Sequence, residues 1–386
     1  MLGIGTITCV VACGLCPLIA GAEGQPKAPK VEIESLRVIG KDTSRYHGWP
    51  TVTLLSGGDL VLGYSGNREQ HVCPFGRVEV MRSSDGGNTW SDAHVVWDSD
   101  LDDRDVGLIE TRDHALLLYT FTSTDWIANL KANRGNWPEM RVARWDRMLS
   151  RVPEQFRTPG AVQAWVIRSN DAGKNWSDPI EVPVHVPHGP IQLANGKMLC
   201  FGLPGIHKEN ATNCVYESAD GISWKKISEI PPMPGHDASG YCEIHGVQAA
   251  DGQVIIHIRN ETNQDRMHVV LQSESSDGGK TWSVPRDIGI GHGVPMHLLR
   301  TGNNTLLTTF GYRWKPYGIR ASISTDNGKS WCEPFVIADD GITFDLGYPS
   351  TVQLADGSFV TVWYECMPGN PRAQLRQAKW RFKSTD

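Results

Sequence analysis

The stretch Ser83-Ser84-Asp85-Gly86-Gly87-Asn88-Thr89-Trp90 decides how this chain is built, because the chain says it five times. Copies follow at Ser169 to Trp176, Ser218 to Trp224, Ser275 to Trp282 and Ser324 to Trp331. The third, Ser218-Ala219-Asp220-Gly221-Ile222-Ser223-Trp224, is one residue short; the others keep Ser-x-Asp-x-Gly-x-x-Trp. Recurrence at tens of residues marks a repeat architecture. Asp and Gly suit a tight turn, and the closing Trp suits packing between sheets. The phrase therefore reads as scaffold.

A second repeat surrounds the first. Trp49-Pro50-Thr51-Val52-Thr53-Leu54-Leu55, a Gly/Asp turn and Leu60-Val61-Leu62-Gly63-Tyr64 read as strand, tight turn, strand. The pattern returns at Asp105 to Phe121, His188 to Gly202, Glu243 to Arg259, Pro295 to Gly311 and Tyr348 to Tyr364, so there are six hairpins, five of them leading into a copy of the phrase. A hairpin, a third strand, the Asp turn and a fourth strand make one module. Six such modules predict an all-β fold, a six-bladed β-propeller. After the last hairpin only Gln374 to Phe382 remains for a strand. Val31 to Ile39 is expected to supply the missing fourth one, closing the ring with strands from both termini.

The 386 residues carry a net charge of −6, with 40 Gly, 23 Pro and 14 Trp, a composition that suits a turn-rich β protein. Nucleic acid as a partner would call for a strong basic surplus, which is absent. Residues 1–22 read as a signal peptide: no charge before Glu23, an apolar run from Ile7 to Ala20, and the small-x-small pattern Ala20-Gly21-Ala22. Secretion or export to the periplasm follows as an expectation. Val10-Val11-Ala12-Cys13 also resembles a lipoprotein site, but it leaves a short apolar segment. No later stretch is long and apolar enough to span a membrane. Residues 23–386 are expected to form one propeller domain, monomeric and without a cofactor. Beyond the leader, Cys73, Cys200, Cys214, Cys242, Cys332 and Cys366 lack the C-x-x-C spacing of a zinc site, and no metal is expected. Export would permit disulfides among them, in any of fifteen pairings.

One segment, residues 122–163, breaks the rhythm of blade two. Pro138 is placed to open a helix running to about Val152, with Trp145, Met148, Leu149 and Val152 on one face and Arg141, Arg144, Arg147 and Arg151 on the other. It reads either as a solvated basic helix packed on the blade or as a wall of a pocket for an anionic ligand.

The topology sorts the residues by face. The five Asp turns lie on one face of the ring; the starts of first strands and the ends of second strands converge at the axis on the other. That near face gathers Arg45, His47, Arg68, Glu69, His71, Arg104, Asp105, His188, Glu243, His245, Arg259, His292, Arg313, Tyr348 and Glu365. So many ionisable groups at one end of the axis point to a polar ligand site.

With its five Asp boxes and six hairpins, the chain resembles the sialidase-type six-bladed propellers with BNR repeats, over nearly everything after the leader. The resemblance implies a nucleophilic Tyr before the last inner strand, matched by Tyr348-Pro349-Ser350. It implies a Glu that activates the Tyr, matched by Glu243, and an arginine at the end of the next strand, matched by Arg259. A Tyr-Glu pair whose Glu supports an arginine is matched by Tyr364-Glu365. A further arginine before the last Asp box is matched by Arg313 or Arg320. Two features depart from the family. Gly48-Trp49-Pro50 stands where the family has Arg-Ile-Pro, with Arg45 the nearest stand-in. The loop Asn67 to Pro74 lacks the family's acid/base Asp, leaving Glu69 or His71 to serve.

The chemistry implied is exo-acting hydrolysis of a terminal acidic sugar, sialic acid or a relative. A Tyr nucleophile is the known exception among glycosidases that otherwise use two carboxylates. Arginines would clamp the substrate carboxylate, with Arg68 helping. Asp105, with Arg104 beside it, would bind hydroxyls or relay a proton, and His47, His188, His245 and His292 would meet hydroxyls. A polysaccharide lyase acting on uronic acids, or a glycan-binding propeller without catalysis, would fit the same scaffold.

Overall fold

The computed structural model describes residues 25–184, 187–202, 212–262 and 268–383; the expected leader lies outside them. Twenty-four strands form six four-stranded antiparallel sheets set around a ring, a six-bladed β-propeller. The innermost strands of blades one to six are Tyr46–Leu54, Asp102–Glu110, Ile191–Gln192, Tyr241–Gln248, Met296–Arg300 and Leu346–Gln353. The ring closes as the sequence predicts. Val31–Val38 pairs antiparallel with Asn370–Phe382, Val31 opposite Phe382 and Val38 opposite Arg376, and completes blade six.

The core lies between blades. Trp49, Val52 and Leu62 of blade one pack with Val360, Val362 and Leu375 of blade six, all at most 8% exposed. Each such side chain contributes about 1.5–3 kcal/mol by leaving water. The Asp phrases lock the far-face turns. Ser83 Oγ donates to Asp85 Oδ1 (2.7 Å), which also accepts the Thr89 N–H (2.8 Å), while Oδ2 accepts the Thr89 hydroxyl (2.7 Å). Gly87 has φ 81°, donates its N–H to Ser83 Oγ (2.8 Å), and a Cβ there would press on Gln377. Asp171, Asp220, Asp277 and Asp326 accept the equivalent backbone N–H bonds. Three of the closing tryptophans staple neighbouring blades: the Trp90 indole N–H donates to Gln377 of blade six and that of Trp331 to Gln272 of blade four, each at 2.7 Å, and that of Trp282 to Ser228 of blade three at 3.1 Å.

In the insert of blade two, helix α1 (Trp126–Asn133) precedes helix α2 (Glu139–Arg151), which Pro138 opens as expected. Trp126, Ile127, Leu130, Trp145 and Val152 form a small core with Cys73, so the insert is packed onto the loop that follows the second strand of blade one. The eight residues of α1 are too few to show a helical period in sequence. The six cysteines of the described chain are free thiols.

Candidate active site

Four innermost strands carry the same irregularity at the near end of the axis. The register shifts between Gly48 and Thr51, Arg104 and Gly107, Cys242 and His245, and Gly347 and Ser350. Within these bulges Trp49, Asp105, Glu243 and Tyr348 adopt φ of 53°, 28°, 48° and 53°. A non-glycine residue in that region costs of order 1–3 kcal/mol and persists where packing enforces it, often at functional sites. Each bulge re-aims one side chain, and the four converge.

Tyr348, 5% exposed, donates its hydroxyl to Glu243 Oε1. Arg259 donates to the other oxygen, Oε2, at 2.6 Å, and its Nε is held by Glu261. Burial and the charges of Glu243 and Asp105 push the Tyr348 phenol far above its usual range, so it is protonated at neutral pH. Burial alone would raise Glu243, but Arg259, the hydrogen bonds it receives and the field of Arg313 hold the carboxyl below its usual value. Glu243 is therefore ionised and placed to take the phenol proton. Burial, only partly offset by Arg104 and added to by Glu243, raises Asp105 to about 7.

A second pair stands beside the first. His71 Nδ1 lies 2.9 Å from Asp345 Oδ1, and Tyr46 Oη lies 2.8 Å from the same nitrogen and 3.0 Å from the same carboxylate oxygen. The His71 side chain is 44% exposed. A carboxylate on Nδ1 fixes that nitrogen as the donor and leaves Nε2 to exchange protons with a ligand. Burial, with help from Arg104, pulls His71 below its ordinary value against the opposing pull of Asp345. The rings of His71 and Tyr348 both pack on Trp49 (centroids 4.9 and 6.3 Å) and on Tyr364 (6.4 and 5.9 Å).

Two further arginines reach this centre. Arg104 stacks over Trp49 at 4.2 Å and lies 3.9 Å from Asp105. Arg313 donates Nε to the Leu346 carbonyl (2.9 Å), and its field reaches Glu243, Asp345 and Tyr364. Its terminal nitrogens have no hydrogen-bond partner among the described residues. His188 forms part of the floor, 5.9 Å from the Tyr348 ring, with both ring nitrogens buried and without a hydrogen-bond partner. Burial lowers it to about 4, so it is neutral.

Other expected site residues lie elsewhere. Arg68 is fully buried and spent on a bidentate pair with Asp102 (2.6 and 2.8 Å), so it cannot clamp a ligand. Glu69 is taken by Arg144, by Arg141 at 3.4 Å and by the Trp145 indole N–H at 3.1 Å, which removes it as a proton donor. Arg45 lines a separate cleft with Glu69 and does not replace the missing arginine. His47 turns away from the axis, bonds the Asp42 carbonyl (2.8 Å) and packs on Tyr64. His292 ends the outermost strand of blade four against Trp314; His297 of the next innermost strand takes the axial place instead. His245 stacks on His297 at 4.5 Å and accepts the Leu298 N–H (2.9 Å); both line a channel of about 450 Å³ with Thr51, Thr351 and Arg300, toward the Asp-turn side. Arg320 sits on a third strand and serves the Ala338 (2.8 Å) and Pro316 (3.1 Å) carbonyls, leaving Arg313 as the site arginine. Glu365 is 1% exposed and does support an arginine, but that arginine is Arg376, which also holds Asp340. Of the four histidines weighed for hydroxyl contacts, His188 and His245 meet at 5.4 Å while His47 and His292 are apart from them. Asp345, Tyr46 and His297 were not anticipated; the first two lie next to strand starts already singled out, three residues before Tyr348 and between Arg45 and His47.

The fold that carries this axial cluster is a six-bladed propeller with BNR-type repeats. The model of the BNR repeat-like domain family matches residues 147–361, more than half of the chain, and the chain belongs to that family. A protein of unknown function from Dyadobacter fermentans DSM 18053 is 22% identical with a TM-score of 0.74, covering 92% of this chain and 100% of that one. NanB sialidase from Streptococcus pneumoniae is 13% identical with a TM-score of 0.62, over 90% of this chain and 70% of its own. The α-L-arabinanase of Penicillium chrysogenum is 16% identical with a TM-score of 0.59, over 90% and 98%. These likenesses concern the fold. No curated protein matches the chain.

Proposed function

We propose that the protein is an exported, retaining exo-glycosidase that removes a terminal acidic sugar from glycans, with Tyr348 as nucleophile. The observation that carries this is the Tyr348–Glu243 hydrogen bond, made by two residues on strained bulges, with Arg259 keeping the carboxylate ionised. A phenol is a poor nucleophile until a base takes its proton.

In the first half-reaction Tyr348 Oη attacks the anomeric carbon and its proton passes to Glu243. The glycosidic C–O bond breaks, its electron pair stays on the leaving oxygen, and His71, oriented by Asp345, protonates that oxygen. In the second, water attacks the anomeric carbon and neutral His71 takes its proton. The Tyr348 oxygen departs and recovers its proton from Glu243. Arg313 and Arg104 bind the sugar carboxylate, a charge that a carboxylate nucleophile would repel and a phenol does not. Asp105 and His188 meet hydroxyls at the floor. The test is turnover of aryl sialosides and aryl uronosides by the wild type and by Tyr348→Phe. Equal rates for the two would remove the nucleophile from the scheme.

The His71–Asp345 pair beside a tyrosine also favours a second reading, abstraction of the C5 proton of a uronic acid with elimination. That reaction breaks the C4–O bond, leaves an unsaturated product absorbing near ~232–235 nm and takes no oxygen from water, which separates the two.

A further inference from the structure

The loop that carries His71 turns its preceding residues, Glu69 and Gln70, toward helix α2. There a cleft of about 420 Å³ is lined by Arg45, Arg141, Arg144 and Arg372 together with Glu69 and Gln70. Four guanidinium groups face one carboxylate, in a protein whose net charge is −6. Two of the four are held in place. Arg141 lies 4.0 Å over Trp137 and donates to Gln70 Oε1, while Arg144 lies 5.2 Å over Phe75 and pairs with Glu69. Aromatic faces and a shared carboxylate fix the planar forks that bind oxyanions in bidentate fashion. Arg45 and Arg372 make no ion pair and no side-chain hydrogen bond among the described residues. Like charges gathered in one concave site repel until an anion joins them.

We infer that this cleft is a subsite for an anionic group, a sulfate ester or a carboxylate, on the sugar that lies on the leaving-group side of the scissile bond. The side follows from the function proposed above: the residue that protonates the leaving oxygen, His71, is two positions from Glu69. A second negative sugar there makes the substrate an acidic oligosaccharide rather than a neutral one with a single acidic cap.

The experiment is calorimetric titration of the full chain with three probes: a chondroitin 4-sulfate tetrasaccharide, the same tetrasaccharide chemically desulfated, and neutral chitotetraose. The wild type binds the sulfated probe about tenfold more tightly than chitotetraose, and the difference shrinks between 50 and 300 mM salt as screening requires (conditions of roughly that span). Arg45→Ala with Arg372→Ala, whose side chains hold nothing in the fold, keeps the wild-type melting temperature and loses that preference. Glutamine at both positions does the same. Preference kept after desulfation assigns the carboxylate; preference lost assigns the sulfate. The inference is overturned if the wild type binds no charged probe, if it binds chitotetraose equally, or if the double variant binds the sulfated probe as tightly as wild type. A charge preference without turnover of any acidic glycoside leaves the cleft standing and removes the proposed reaction; turnover without the preference does the reverse.

Discussion

Glu243→Gln tests the proton path at its centre. The substitution keeps shape and a hydrogen-bond acceptor for Tyr348 but removes the charge that makes Glu243 a base. An ordinary phenol titrates near ~10, so at pH 7 fewer than about one molecule in 1,000 is ionised. Tyr348 is raised further by burial, then by the charges of Glu243 and Asp105. The variant loses one of those charges, so the ordinary value is a fair floor for it. Reaction through phenolate already formed in solvent then costs at least ~10³-fold in kcat, about 4 kcal/mol of barrier, which lies inside the ~10²–10⁴ range of general-base effects. Arg259 loses one partner but keeps Glu261, so the stability cost is about 1–3 kcal/mol. The assay is kcat on the best aryl glycoside from pH 6 to 9, below the melting temperature of the variant. Log kcat of the variant is expected to climb with pH as phenolate forms, whereas the wild type falls. A loss of less than ~10-fold, or a variant profile that follows the wild type, would refute the role of Glu243.

Further outcomes follow from the same geometry. Glu243 must be ionised and sits below the usual carboxyl range, while His71 must be protonated and sits below the usual imidazole range, so kcat/KM peaks on the acid side of neutrality and falls above it. Asp345→Asn removes a group that raises His71 and shifts the alkaline limb of that profile to lower pH, as a pH–rate series would show. Arg313→Ala is expected to raise KM about 10–100-fold for an acidic glycoside, with a much smaller change in kcat, because one charge-assisted contact to the ground-state carboxylate is lost. The Asp turns set acid stability. Hydrogen bonds led by those from Thr89 and Thr281 hold Asp85 and Asp277 at about 2, below the unfolded value, so their stabilisation is complete above pH ~4 and lost as pH falls through about 2. In thermal melts the stability gap between wild type and Asp85→Ala should be about 1 kcal/mol at pH 7, stay constant down to pH ~4 and close below it, with activity intact, while buried histidines such as His188 lower the stability of both proteins from pH ~6.5 downward.

The fold was open to reading because its determinants are local. Ser83 to Trp90 contains the donors that hold Asp85 in its turn, and the hairpins show their period of two, so the blade count and the closing strand Val31–Val38 follow from the sequence. Within the site, Tyr348, Glu243, Asp105, Arg259 and Arg313 were reachable because they sit at strand ends that topology sends to the axis. What stayed hidden was the partner each charge finds in another blade. Nothing near Arg68 in sequence announces that Asp102 neutralises it, and nothing near His71 announces Asp345. Facing was hidden as well. The bulge at Gly48 to Thr51 interrupts the alternation of blade one, so counting by twos sends His47 to the axis when Tyr46 and Trp49 go there. His292 failed for a related reason: the outermost strand of blade four runs on to that residue, and the innermost strand of blade five begins only at Met296.

The central claim is that Tyr348 forms a bond to the sugar. The most direct measurement is mass spectrometry of the intact protein, then of its peptides, after incubation with a fluorinated acidic glycosyl fluoride, which forms the covalent intermediate faster than water removes it. The account predicts one sugar added per chain, located on the peptide containing Tyr348, and none on Tyr348→Phe. Turnover of acidic glycosides with no adduct, or with the adduct on Asp105 or another carboxylate, would contradict it.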